Sequence, residues 1–130
     1  MRKPVVAAVL LILCVTTIYA ADRPAVARMW RGKVTAAKAD EYETYLDTGV
    51  QALKKIKGNL GVQMFRGTGD PVEFVVISYW PDRDAIRAYA GADIEKIHHL
   101  PRDAEFIVNG DEQLHHYDVR IDWRPDAPKP

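Results

Sequence analysis

The stretch Glu73-Phe-Val-Val-Ile-Ser-Tyr-Trp80 decides how the rest of the chain is read. Successive side chains of a strand face opposite ways, so Phe74, Val76 and Trp80 share one side and Val75, Ile77 and Tyr79 the other. Both sides are apolar, and such a strand has to be covered twice. Just upstream, Leu60, Val62 and Met64 alternate with Gly61, Gln63 and Phe65, and the turn Gly67-Thr-Gly-Asp-Pro71 joins the two runs as a hairpin.

Working outward, Pro81-Asp82 opens a helix that turns Ala85, Ile86, Tyr89 and Ala90 inward and ends at Gly91. On the N-terminal side, Ala25 to Val34 alternates as a strand with Val26, Arg28 and Trp30 on one side and Ala27 and Met29 on the other. Thr35 is placed to cap a helix whose apolar stripe is Tyr42, Tyr45, Leu46, Val50, Leu53 and Ile56, with Lys54, Lys55 and Lys57 at its C-terminal dipole and Gly58 as the stop. After Gly91 an irregular stretch holds one expected turn of helix, Asp93 to His98. Leu114 to Ile121 then closes the domain as a strand with His115, Tyr117, Val119 and Ile121 on one face. The order βαββαβ predicts an α+β, ferredoxin-like sandwich. Two helices cover only one face of four strands. Trp80 or Tyr79, with Phe65 or Met64, must therefore look toward a second cover, and a symmetric homodimer forming a dimeric α+β barrel supplies it.

The ends and the composition bound where such a domain works. Arg2-Lys3 precede an uncharged run from Pro4 to Ala21, the order of a secretory signal peptide, with cleavage after Ala20. The run is also long enough for an N-terminal membrane anchor, which needs about 17–25 apolar residues. A lipoprotein reading wants a small residue before Cys14, where Leu13 stands. Segment 1–21 is thus read as signal or anchor, 22–122 as one domain, and 123–130, with three prolines, as a frayed tail. The protein is expected to be exported, periplasmic or secreted, and to meet a membrane only through its N-terminal segment. Cys14 is the single cysteine, so a processed form has no thiol for disulfides, thiolate catalysis or metal. The 18 basic and 18 acidic residues become 16 and 18 without Arg2 and Lys3, and a net charge near −2 argues against nucleic acid as a partner.

Ala27-Arg-Met-Trp-Arg-Gly32, Gly58-Asn-Leu-Gly-Val62, Ser78-Tyr-Trp-Pro-Asp82, Ala85-Ile-Arg-Ala-Tyr-Ala-Gly91 and His116-Tyr-Asp-Val119 together resemble the antibiotic biosynthesis monooxygenase (ABM) family of dimeric α+β barrels. The resemblance runs from Ala25 to Ile121. It implies a hydrophobic pocket between helices and sheet in each protomer. Some members use the pocket, without flavin or metal, to oxidise polycyclic phenols or quinols with oxygen. Others bind haem and open its ring with a strand-one asparagine, a helix-two tryptophan and, ten residues on, an iron-ligating histidine. Carried onto this chain, the helix-two aromatic is Tyr89 and the histidine is His99, while the asparagine falls on or beside Trp30. That departure weakens a haem-degrading reading and leaves haem binding through His99 open.

The chemistry expected is that of a cofactor-independent monooxygenase-like protein acting on a small aromatic or quinol-type substrate in the cell envelope. His99 is the base, since an imidazole titrates near neutral pH. Tyr89 donates to the substrate oxygen, and Trp30 is a stacking wall, with Trp80, Tyr79 and Phe106 as further lining. The other class of function is a binding module that carries haem or another small planar ligand without turnover. His98 and His99, consecutive on a helical turn, would point about 100° apart, and His115 and His116 face opposite sides of a strand, so a four-histidine metal site is geometrically poor. No metal ligand is assigned.

Overall fold

The structure is a computed structural model that describes residues 2, 23–108 and 112–125. The proposed signal or anchor, beyond Arg2, and the tail past residue 125 lie outside the described residues. No helix among the described residues is long and apolar enough to cross a membrane.

Four strands, β1 (Val26–Val34), β2 (Gly61–Arg66), β3 (Val72–Trp80) and β4 (Gln113–Asp118), form one antiparallel sheet in the order β2-β3-β1-β4. Helices α1 (Ala39–Leu53) and α2 (Arg83–Ala90) lie on one face, which is the α+β, ferredoxin-like arrangement expected. The register resolves the ambiguity of the doubly apolar strand. Trp80 pairs with Val26 and Phe74 with Gly32, so Val72, Phe74, Val76, Ser78 and Trp80 look toward the helices, whereas Val75, Ile77 and Tyr79 look away. Met64, opposite Val76, is inward and Phe65, opposite Val75, is outward.

The core has two parts. Tyr42, Leu46 and Val50 of α1 pack on Val34, Val72, Phe74, Val76 and Phe106, and Ile86 and Ala90 of α2 pack on Val26, Trp80 and Ile94. The side chain of Asp82 caps α2 by accepting from Ala85 N at 2.8 Å, and Gly91 ends it at φ 90°, a conformation that suits glycine.

Several boundaries depart from the sequence reading for local reasons. Thr35 makes no side-chain cap; Ala36–Lys38 first form a 3₁₀ turn, and the free Ala36 N–H is taken by Asp70 Oδ1 of the β2–β3 turn at 3.2 Å. The helix stops at Leu53, with Lys54 to Lys57 in turns that reverse at Gly58, φ 90°. Asp93–His98 is not helical. Asp93 Oδ1 accepts from Glu95 N at 3.1 Å, an Asx turn that competes with a helix, and the helical turn of this region lies later, at Asp103–Glu105. β4 ends at Asp118 rather than Ile121, which is 89 % exposed.

Candidate functional site

Between the helical layer and the sheet lies a cavity of about 120 Å³, room for roughly one aromatic ring by comparison with cavities known to admit benzene. Its apolar wall comes from α1 through Leu46, Val50 and Leu53 and from Leu100 and Leu114. Gly49 belongs to this wall for a steric reason: a Cβ there would meet Leu100 Cδ1 at 3.0 Å.

Of the residues named from sequence, Trp30 and Tyr89 border the cavity together. Trp80 is wholly buried behind Tyr89, stacked on it at 5.5 Å between ring centres, and donates from Nε1 to Ser78 Oγ at 2.9 Å. It supports the wall without being part of it. Tyr79 belongs to the opposite face of the sheet, where its hydroxyl meets Gln63 Oε1 at 2.7 Å. Phe106 is core, packed at 5.2 and 5.8 Å on Tyr42 and Tyr45. The histidine at the cavity is His98, and His99, the sequence candidate, is half-exposed beside Glu112, its Nδ1 at 3.3 Å from Oε1. His99 was chosen by its ten-residue spacing from Tyr89 in the family resemblance, and along the irregular backbone that replaces the expected helical turn it is His98 that reaches the cavity.

His98 Nε2 lies 2.7 Å from the carbonyl of Ala90. A carbonyl only accepts, so Nε2 carries the proton in the neutral ring and Nδ1 is the basic nitrogen. At the α1 side, Tyr42 donates to Asp103 Oδ1 at 3.2 Å, and Leu100 N donates to Oδ2 at 2.7 Å. Burial and the Asp103 charge push the Tyr42 hydroxyl pKa far above its ordinary value, so it acts only as a donor. Trp30 Nε1 donates to Glu112 Oε1 at 3.3 Å. His99, Asp103 and Glu112 thus present ligand atoms within 4.8 Å of one another, with Glu112 brought in from beyond the reach of any local spacing. Each carboxylate already holds donors from the protein, and these contacts account for the cluster without an ion.

Arg28, from the middle of β1, is the residue that sequence reasoning placed but did not use. It borders the cavity, and the residue is only 7 % exposed. Nη1 donates to the Ile94 carbonyl and, at 2.8 Å, to His116 Nε2, while Nη2 reaches the Lys96 carbonyl at 3.4 Å. Because an arginine only donates, His116 Nε2 accepts and Nδ1 carries the proton toward Glu95 Oε1 at 3.0 Å. Burial lowers the Arg28 pKa, and burial with the Arg28 charge lowers that of His116. The available signal was a charged residue on the inward side of a strand between Val26 and Trp30.

Compared with known proteins, residues 25–96, more than half of the chain, match the family described as antibiotic biosynthesis monooxygenase. No curated protein matches. Among solved structures, the chain is similar to the haem-degrader MhuD of Mycobacterium tuberculosis, solved with two haems in its active site (21 % identity, TM-score 0.57, 76 % of this chain and 99 % of that one). It is also similar to an antibiotic biosynthesis monooxygenase (17 %, 0.56, 72 % and 97 %) and to a Nitrosomonas europaea protein of unknown function (12 %, 0.60, 80 % and 97 %). At these identities the likeness speaks for the fold.

Proposed function

The chain belongs to the antibiotic biosynthesis monooxygenase family, and from that premise we propose that it is a monooxygenase-like protein that takes a small aromatic or quinol-type molecule into the cavity and needs no flavin or metal. The observation that carries this reading is the junction of Trp30, Tyr89 and His98 around a space the size of one ring. A ring between Trp30 and Tyr89 has aromatic surface to stack on, and His98 Nδ1 is the base available to its hydroxyl.

The residues of the chain bind and deprotonate; the ring and oxygen do the rest. Loss of the phenolic proton raises the electron density of the ring until it can give one electron to dioxygen. The ring radical and superoxide join at a ring carbon, and the peroxide then loses water. For hydroquinone the balance is one quinol and one dioxygen giving hydroxybenzoquinone and water, with no outside reductant. Oxygen uptake with hydroquinone is the test. His98→Ala is expected to lower it by about 10²–10⁴, the usual worth of a positioned acid–base group, with His99→Ala as the comparison. Uptake that survives both substitutions unchanged removes histidine from the chemistry, and absence of uptake leaves the carrier reading.

Haem as the ligand, the second reading, is favoured by the likeness to MhuD but asks for far more room than this cavity gives. Titration with haemin is expected to give no saturable Soret shift; a shift lost in His99→Ala would favour the carrier.

The proposal extends to assembly and place. The outward sheet face carries Met29, Val75, Ile77 and Tyr79, with Phe65 46 % and Tyr117 50 % exposed, and a second copy packed sheet to sheet would cover it. Segment 1–21 supports export of the protein from the cytoplasm, as signal peptide or anchor, and N-terminal sequencing of the exported form distinguishes the two.

A further inference from the structure

We propose that the ring this cavity selects carries a carboxylate, received by Arg28, so that the ligand class is a monocyclic aromatic acid. The inference rests on the cavity being a ligand site and adds what that ligand must bear.

Charge accounting at Arg28 leads to it. The groups that hold its guanidinium are two backbone carbonyls, of Ile94 and Lys96, and a histidine that must be neutral to accept from it. Among the described residues no carboxylate lies within ion-pair distance of Arg28. Glu95, the acid behind His116, stands on the far side of the imidazole with its side chain 66 % exposed. A guanidinium stays charged under all ordinary conditions, and a buried charge without a counter-ion is costly. Hydrophobic neighbours on the same face of β1, Val26 and Trp30, show that the position is otherwise built for apolar packing. A ligand that brings the missing negative charge would remove the cost, and the planar fork of arginine matches a carboxylate with two parallel hydrogen bonds.

A second charge at the cavity limits where the ligand's own charge can go. Asp103 also borders the cavity, and its carboxylate, held by Tyr42 and Leu100 N, repels an anion. The cavity is therefore polarised, positive at β1 and negative at the Asp103 turn. A ring with a carboxylate for Arg28 and a neutral hydroxyl that can donate toward Asp103 suits both charges. The cavity has room for about one ring, so the acid considered is monocyclic.

The test compares 4-hydroxybenzoate with 4-hydroxybenzamide, nearly the same shape without the charge, by calorimetric titration of the intact protein. The acid is expected to bind at least about tenfold more tightly, a preference lost in Arg28→Met and reduced in Arg28→Lys, which keeps the charge but not the fork. Equal binding of acid and amide to the unaltered protein overturns the inference but leaves the ring site standing. If neither binds, the inference falls, and oxygen uptake with hydroquinone separately decides whether the proposed function falls with it. The comparison on the unaltered protein needs no variant to fold; near-ultraviolet circular dichroism checks the two that are made.

Discussion

His116 shows how one side chain ties stability to pH. Its imidazole is 3 % exposed and wedged between Arg28 and Glu95. Burial first, then the Arg28 charge and more weakly that of Arg83, hold its pKa below 6.5, with Glu95 opposing. An unfolded chain takes up this proton near pH 6.5, whereas the folded one resists until lower pH. The stability is therefore full above that value, declines as pH falls from it toward the lower folded pKa, and loses nothing further from this group below that. His116→Gln keeps an acceptor for Arg28 and a donor for Glu95 but cannot titrate. Urea unfolding between pH 7 and 5 is expected to show a shallower acid loss in the variant; identical slopes would contradict the assignment.

At the scale of elements, two helix starts that look alike in sequence behave differently. Asp82 caps α2 with its carboxylate, while Thr35 leaves its hydroxyl out of the cap. Asp82→Ala is expected to cost about 1 kcal/mol, and Thr35→Ala less than about 0.5 kcal/mol, both by chemical denaturation. A larger loss at Thr35 than at Asp82 would reverse the interpretation. The contrast also marks what the sequence makes legible. Alternation in β1 and β3, the stripe of α1 and the stops at Gly58 and Gly91 are local signals, and they are enough for the element order. The side of the sheet that Trp80 takes is not local: a strand apolar on both faces has no preference of its own, and pairing with Val26 decides it. The same holds for His98 and His99, whose directions depend on the path of an irregular segment fixed by Asp93, Leu100 and Asp103. Trp30 and Tyr89 were placed at the pocket by the family resemblance, and each sits in a regular element that keeps its direction; Arg28 was readable in position, and its role needed its partners.

For the molecule as a whole, the uncovered face of the sheet is the dominant fact. Half-buried Val75 and Ile77 sit at its centre on β3, a strand flanked on both sides. Their other-face neighbours Val76 and Phe74 belong to the core, so an outward substitution leaves the interior intact. If the proposed dimer packs through this face, Ile77→Glu is expected to turn it into a monomer in sedimentation velocity with little change in far-ultraviolet circular dichroism. An unaltered protein that sediments as a monomer would remove the dimer altogether.

The three tryptophans occupy three different optical environments. Trp80 is sealed in the core, Trp30 borders the cavity with its indole N–H on Glu112, and Trp123 is 79 % exposed beyond the end of β4. The chain thus carries its own set of fluorophores: acrylamide is expected to quench the red-edge emission of Trp123 first, and a ring entering the cavity to dim Trp30 while Trp80 stays bright until the fold is lost. A Trp123→Phe variant separates the first signal from the second, so occupancy of the cavity becomes readable in solution without any label.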